Sequence, residues 1–183
     1  MPRHINPDVE GRIVAAARKL WHAGGEEALS MRAIARAART NTPAVYRRFR
    51  DREEILQALV ATYLEQLFKE VEPATSVSEL LNRVLHFAMR QPREYELMTS
   101  GLLARVTKSR PALELATAKT AAWLGGTSEE HRKLTLCVWS MMHGLIMLKI
   151  SGTMREEEFP AAVAAFHKAV DILVEGRGKL DGM

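Results

Sequence analysis

The sequence predicts an all-α protein of about nine helices. Alanine and leucine, with 25 and 21 residues, make up a quarter of the 183 residues, whereas aromatic residues make up only 6%. This bias favours helix over sheet. Apolar residues also recur with a helical period along most of the chain, and no segment is credible as a strand.

Capping signals divide the first part of the chain into four helices. Gly24 and Gly25 end the first helix, and Ser30 is an N-cap for the second. Asn41 is an N-cap for the third, and Asp51 followed by Glu54 resembles a capping box that opens the fourth. The expected helices are about Asp8–Ala23, Ser30–Ala38, Thr42–Phe49 and Asp51–Val71.

Five further helices follow a short linker around Pro73. Pro92 ends the first of them, and Gly125 with Gly126 closes the third. The expected helices are about Val77–Arg90, Arg93–Thr107, Pro111–Leu124, Ser128–Ile150 and Glu157–Glu175.

The net positive charge lies in the first third of the chain. Residues 1–60 hold 11 Lys and Arg against 7 Asp and Glu, whereas residues 61–183 hold 15 of each. From Arg32 to Arg52 there are seven arginines and one acid, Asp51. Such a patch suits a polyanion such as DNA, but a solvated helical surface would have the same composition.

The segment from Ile34 to Phe49 predicts two short helices joined by a tight turn. Four apolar residues have the spacing to hold the pair against the first helix: Ile34, Ala38, Val45 and Phe49. The second short helix then exposes Thr42, Tyr46 and Arg47. Such a helix can enter a major groove while flanking basic groups meet phosphates.

This part of the chain resembles the tetracycline-repressor-like (TetR) family of transcriptional regulators over about Ile13 to Leu59. The resemblance is carried by the stretches ALSMRAIA from Ala28, VYRRF from Val45 and DREEIL from Asp51. Three positions depart from the family pattern. Arg39 stands where glycine is usual, Thr40 where an aliphatic residue is usual, and Ala44 where threonine is common.

The resemblance implies a three-helix, helix-turn-helix DNA-binding domain at residues 1–52 and a helical ligand-binding and dimerisation domain at 53–183. It implies base-edge or groove contacts by Arg32, Thr42, Pro43, Ala44, Tyr46 and Arg47. It implies phosphate contacts by Ser30, Tyr46, Arg48 and Arg52. Arginine suits guanine, and the first turn of a helix suits phosphate. Tyr46 is equally compatible with a packing role.

The last two helices predict a homodimer. The helix ending at Ile150 is apolar around too much of its circumference for a surface helix, so we expect one side to face a second subunit. Its His143-Gly144 pair resembles the penultimate helix of the same family. The last helix carries a stripe of Phe159, Val163, Phe166, Val170 and Leu173, and a small-residue reverse face of Ala161, Ala164, Ala165 and Lys168. The alternative is that both helices complete a monomeric core.

Methionine, histidine and aromatic residues beyond position 60 either belong to an ordinary hydrophobic core or line a ligand pocket. The family resemblance favours the pocket. The candidate lining is His86, Met89, Met98, Trp123, Trp139, Met142, His143 and Met147. Because this set holds no acid or fixed base, we expect an uncharged, apolar effector.

Other classes of protein have little support. No phosphate-binding glycine loop, HExxH or nucleophile elbow is present, so we expect no enzyme, cofactor or metal site. The apolar stretch from Leu134 to Leu148 is shorter than a membrane span, and no signal peptide is recognisable, so we expect a cytoplasmic protein. Cys137 is expected to be a buried apolar residue.

The sequence therefore predicts a ligand-responsive DNA-binding regulator. The more specific expectation is a repressor that a small apolar effector releases from a palindromic operator. The alternative is a DNA-independent helical interaction protein that binds an acidic partner through its basic face.

Overall fold

The computed structural model describes residues 8–102 and 110–179. Within these ranges it contains nine α-helices and no strand, which confirms the all-α prediction. The helices are α1 (Asp8–Gly24), α2 (Met31–Ala37), α3 (Thr42–Tyr46), α4 (Arg52–Val71), α5 (Val77–Arg90), α6 (Pro92–Thr99), α7 (Pro111–Leu124), α8 (Arg132–Ile150) and α9 (Phe159–Glu175). Short 3₁₀ turns lie at Gly25–Ala28 and Arg177–Lys179.

The first of two compact units contains, among the described residues, 8–65 and 93–102. It holds α1, α2, α3, the first part of α4 and most of α6. Helix α2 packs against both α1 and α3. Fully buried side chains from each of the first four helices form the core, among them Ile13, Ile34, Val45, Ile55 and Tyr63.

The beginning of α6 is bound to the end of α1 within this unit. The Trp21 indole donates to the carbonyl of Arg93 at 3.2 Å, and the Arg93 guanidinium donates to the carbonyl of His22 at 2.6 Å. Glu94 is buried, and its carboxylate lies 3.0 Å from Nδ1 of His22. Burial, and to a smaller extent the negative charge of Glu94, raises the pKa of the Tyr63 hydroxyl above its ordinary value. Polar side chains thus fix α6 to this unit.

The second unit contains residues 66–92 and 110–179 of the described chain. Helix α8 packs against α5, α7 and α9. The core of this second unit includes Phe87, Leu113, Ile146 and Val170, all essentially inaccessible to solvent. Nε2 of His167 lies 2.8 Å from the Asn82 side-chain oxygen, so a hydrogen bond also joins α9 to α5.

Four helices differ from the expectation by two or more residues at one end. Helix α3 ends at Tyr46, because the next turn tightens to a bond from Arg48 N–H to the Val45 carbonyl. Helix α6 ends at Thr99, before Gly101 at φ +78°; the expected continuation through 103–107 lies outside the described residues.

Helix α8 begins four residues later than expected, at Arg132. The reason is local. Thr127 and Glu130 exchange hydrogen bonds, from Thr127 N–H to the carboxylate at 2.7 Å and from Glu130 N–H to the hydroxyl at 3.3 Å. This pair closes a separate turn before the helix starts. Helix α9 likewise starts at Phe159, two residues later than expected.

Helix α8 keeps part of its apolar surface in contact with solvent. It buries Val138, Met142 and Ile146, but Cys137 and Leu148 are exposed. The expectation that Cys137 is buried is therefore wrong, because its face of α8 is not covered within the described chain. Of the described helices, α8 alone is long and apolar enough to cross a membrane; core helices pass the same test, so this is weak evidence.

Candidate functional site

Side-chain caps position the two short helices, as expected. The Ser30 hydroxyl accepts a hydrogen bond from the N–H of Ala33 at 3.1 Å and so starts α2. The Asn41 side-chain oxygen accepts from the N–H of Ala44 at 2.9 Å and so starts α3. Each such cap contributes about 1 kcal/mol. The Ser30 hydroxyl keeps its own proton, which it can donate to an oxygen outside the protein.

The turn between α2 and α3 forces one residue into the left-handed region. Arg39 has φ +52° and is the one non-glycine residue with positive φ in the described ranges. The Arg39 N–H bonds the carbonyl of Arg36 at 3.2 Å, and the Thr40 N–H bonds that of Ala35 at 2.9 Å. These two bonds form a Schellman motif, which places its C′ residue at positive φ. A non-glycine residue there costs about 1 kcal/mol.

Helix α3 buries one side and exposes the other. Val45 is fully buried and Ala44 is 8% exposed, so both face the core of the first unit. The Tyr46 side chain is 54% exposed, and Arg47 is also exposed. Of the predicted groove residues on and directly after α3, Ala44 is therefore the one that is buried, whereas Tyr46 and Arg47 are exposed. Thr42 is half-buried and Pro43 exposed.

The seven arginines between positions 32 and 52 fall into two classes. Three of them contact an acid: Arg48 lies 4.0 Å from Glu10, Arg50 3.1 Å from Asp51, and Arg52 2.6 Å from Glu26. The side chains of the other four are exposed and make no hydrogen bond or ion pair with any residue in the described part of the chain: Arg32, Arg36, Arg39 and Arg47. The second class leaves uncompensated positive charge around α2 and α3.

Asp51 and Glu54 organise the start of α4. The Asp51 carboxylate accepts from the N–H of Glu54 at 3.0 Å, and Glu54 accepts from the N–H of Arg50 at 2.5 Å. The hydrogen bond from the Glu54 backbone, followed by that from the Arg50 side chain, holds the pKa of Asp51 below its ordinary value. Asp51 therefore stays ionised at the helix start.

No pattern in the sequence points to the acid that contacts Arg52. Glu26 lies in the 3₁₀ turn after α1, 26 positions earlier in the chain. No local spacing links these two residues, so only the folded structure reveals the pair. Arg52, a predicted phosphate contact, thus has a carboxylate as its partner in the protein alone.

The candidate effector residues do not all lie in one unit. Met98 belongs to the first unit, and the other seven belong to the second. Met142 is buried, and His86 is exposed with Nδ1 3.2 Å from the Glu70 carboxylate. The remaining members are half-buried, namely Met89, Met98, Trp123, Trp139, His143 and Met147.

Helices α8 and α9 pack together and leave apolar surface uncovered within the described chain. Leu148 of α8 is 45% exposed and Ile172 of α9 is 69% exposed. The small-residue face of α9 is exposed as well, at Ala161, Ala164, Ala165 and Lys168. Phe166 and Val170, from the opposite stripe, are buried. In the described ranges no group of three His, Cys, Asp or Glu side chains is placed to hold a metal ion.

Two family models match the chain. Residues 13–59 match the model of bacterial regulatory proteins of the tetR family. Residues 77–173 match the model of the tetracyclin repressor-like C-terminal domain. The first match contains α2 and α3, and the second contains α5 to α8 with most of α9.

Solved structures share the fold over nearly the whole chain. A protein with unknown function from Rhodococcus sp. RHA1 has a TM-score of 0.70 at 20% identity, covering 96% of this chain and 97% of its own. A TetR variant from Acinetobacter baumannii AYE, in complex with minocycline, has a TM-score of 0.66 at 18% identity, covering 93% and 97%. TetR from the same strain has a TM-score of 0.66 at 16% identity, again covering 93% and 97%. None of the curated proteins compared matches the chain.

The family follows from the domain matches, because the C-terminal match alone covers more than half of the residues. Proteins of this family are DNA-binding transcriptional regulators, generally soluble and cytoplasmic, and generally not enzymes. They bind operators, dimerise and bind small molecules. The chain belongs to the tetR family of bacterial regulatory proteins and is a DNA-binding transcriptional regulator.

Proposed function

We propose that this regulator is a cytoplasmic repressor that leaves a palindromic operator when a small, uncharged, apolar effector binds. The observation that carries DNA recognition is the absence of acids from Ala28 to Arg50, where four exposed arginines have no partner in the described chain. Uncompensated guanidinium groups favour a polyanion, because their phosphate contacts release condensed counterions.

The proposed reader is α3, with α2 beside it. Tyr46 and Arg47 are exposed groove residues, and the guanidinium of Arg47 has the donors to read guanine. Arg32, Thr42, Pro43 and Ala44 complete the proposed groove contacts. Ser30, Tyr46, Arg48 and Arg52 are the proposed phosphate contacts.

We place the dimer interface on α8 and α9. Leu148, Ile172 and the exposed alanines of α9 are apolar or small, so two copies can pack these helices closely around a two-fold axis. An obligate interface of this kind buries more than about 2,000 Å². Two-fold symmetry would in turn match inverted half-sites about one DNA turn apart, or slightly more.

We place the effector among the soft and aromatic residues of the second unit. Trp139, Met142, His143 and Met147 share α8, and Met89 lies on α5, which packs against it. The similar TetR variant holds minocycline, which supports a small-molecule site in this fold. The lining proposed here favours a less polar ligand, because it has no acid or fixed base.

We propose that helix α4 couples effector binding to operator affinity. It is a continuous helix of 20 residues, and it contributes to both units. At 1.5 Å per residue it is about 30 Å long. An effector that binds better when α4 is tilted would lower operator affinity, by no more than its difference in affinity for the two states.

The competing proposal is an acidic protein partner on the same basic face. Selection of genomic fragments by the full chain separates the two functions. Enriched fragments that share an inverted repeat, bound with strong salt dependence, support the operator proposal. No enrichment over the variant in which Arg32, Arg36, Arg39 and Arg47 are all alanine would exclude it.

A further inference from the structure

Helix α2 carries a line of arginines that extends past its end. Arg32 and Arg36 are four residues apart on α2, a spacing that puts helical side chains on one side, and Arg39 follows in the turn two residues past the end of the helix. All three side chains are exposed, and none has a hydrogen bond or ion pair within residues 8–102 and 110–179. Of the four later arginines of the segment, Arg48, Arg50 and Arg52 each contact an acid, so the line differs from these three.

Arg39 occupies its position against a backbone preference. Its φ of +52° belongs to the Schellman motif that joins α2 to α3, and glycine would adopt it without strain. The Arg39 side chain makes no hydrogen bond or ion pair with the described residues that would offset this strain. An interaction beyond the described residues, such as one with bound DNA, would offset it.

The chemistry of the line fits a sugar-phosphate backbone. No acid lies between Ala28 and Arg50, so a phosphate there meets no carboxylate from this segment. Arg32 and Arg36 are about 6 Å apart along the axis of α2, and Arg39 lies in the turn beyond its end. One DNA strand presents a phosphate for about every 3.4 Å of axis, so arginines with this separation can meet different phosphates of one strand.

We propose that Arg36 and Arg39, which continue the line from the groove residue Arg32, form a phosphate track on α2 and the turn after it, and that this track binds the DNA backbone beside the groove that α3 enters. The inference rests on the proposed DNA recognition and adds Arg36 and Arg39 to its contacts. Phosphate contacts position a protein on DNA without reading sequence. The track therefore strengthens binding to every duplex alike.

The test uses the full chain, a selected genomic duplex and a scrambled duplex of equal length, followed by fluorescence anisotropy across salt concentrations. Arg36→Ala and Arg39→Gly should each make the slope of log K against log salt less steep by about 0.9. This loss weakens DNA binding about eightfold at 0.1 M salt. The loss should be equal on both duplexes. Arg132→Ala, an exposed charge in the second unit, is the control and should change neither value.

The Arg39→Gly variant should also change thermal stability, and in the opposite direction to DNA affinity. Arg39→Gly should raise the thermal midpoint by about 2–4 °C, because it relieves the positive-φ strain, while it weakens DNA binding. Arg39→Lys keeps the charge and the strain, so it should keep the salt slope. Unchanged duplex binding by Arg39→Gly and Arg36→Ala, or equal losses for Arg39→Lys and Arg39→Gly, would overturn the track. Absence of duplex binding by the unmodified chain would instead overturn the proposed DNA recognition itself.

Discussion

Replacing Arg52 and its partner separately is expected to move DNA affinity in opposite directions. The Arg52 guanidinium lies 2.6 Å from the Glu26 carboxylate and 3.5 Å from the Glu26 carbonyl. Both side chains are partly exposed, at 44% and 63%. A phosphate that binds Arg52 therefore competes with Glu26 for the same donors.

The structure sets the size of both effects. Arg52→Ala removes one phosphate contact, which should lower the salt slope by about 0.9 and affinity about eightfold at 0.1 M salt. Glu26→Gln removes the competing charge, and because an exposed pair is worth at most about 1 kcal/mol, affinity should rise by up to about fivefold. For the same reason neither change should lower folding stability by more than about 1 kcal/mol.

A gel-shift or anisotropy series over several duplexes and salt concentrations measures these shifts. Arg47→Ala is the contrasting variant, because a base-edge contact should change the order of preference among duplexes. If Arg52→Ala reordered the duplexes and left the salt slope unchanged, the phosphate assignment would be wrong. A lower affinity for Glu26→Gln would show that Glu26 positions Arg52 and does not compete for it.

Three further predictions address the second unit. Leu148→Asp combined with Ile172→Asp should give a folded monomer by light scattering and circular dichroism; a persistent dimer would place the interface elsewhere. A hydrogen bond from the Thr75 backbone, with bonds from Arg83 and the Thr75 hydroxyl, lowers the pKa of Glu79 from 4.5 to about 2. Glu79 therefore stabilises the fold above about pH 4.5, and this contribution is lost between pH 4.5 and 2. Glu79→Gln should flatten that part of the thermal-midpoint profile, and identical profiles would refute the contribution of the Glu79 carboxylate to stability. Finally, operator DNA should weaken the binding of an identified effector by the factor by which the effector weakens operator binding; equal affinities in calorimetry would exclude allosteric release.

The structure also changes which residues test the dimer. The sequence placed Val163 and Phe166 together on one stripe of the last helix. Phe166 is buried within its own unit, so an aspartate there would disrupt the core and would not report on the interface. Leu148 and Ile172 are exposed in the single chain, and charged replacements there leave its core intact.

Local signals determined most helix boundaries in advance. The caps at Ser30 and Asn41 form as expected, and α5 and α7 have the predicted limits. These features depend on hydrogen bonds or proline and glycine conformations within a few residues, which the sequence displays directly. The positive φ of Arg39 follows in the same way from a turn where glycine is usual in the resembling family.

Features that depend on residues far apart in the sequence were not predictable. The partners of Arg52 and Glu94 lie 26 and 72 positions away, and no periodicity encodes either distance. The exposure of Cys137 depends on which face of α8 its neighbours cover. Composition and spacing specify that α8 is apolar, but only packing decides which of its apolar residues remain at the surface.

Salt dependence of duplex binding by the full chain tests the central claim most directly. Four exposed arginines around α2 and α3 have no partner among the described residues, so log K should fall linearly with log salt. If Arg36 and Arg39 each meet one phosphate, they contribute about −1.8 to the slope per protomer, in addition to the contacts of Arg48 and Arg52. Replacing the four exposed arginines with alanine, with the fold checked by circular dichroism, should remove at least that contribution. A slope near zero for the unmodified chain, or an unchanged slope for the fourfold variant, would contradict the account.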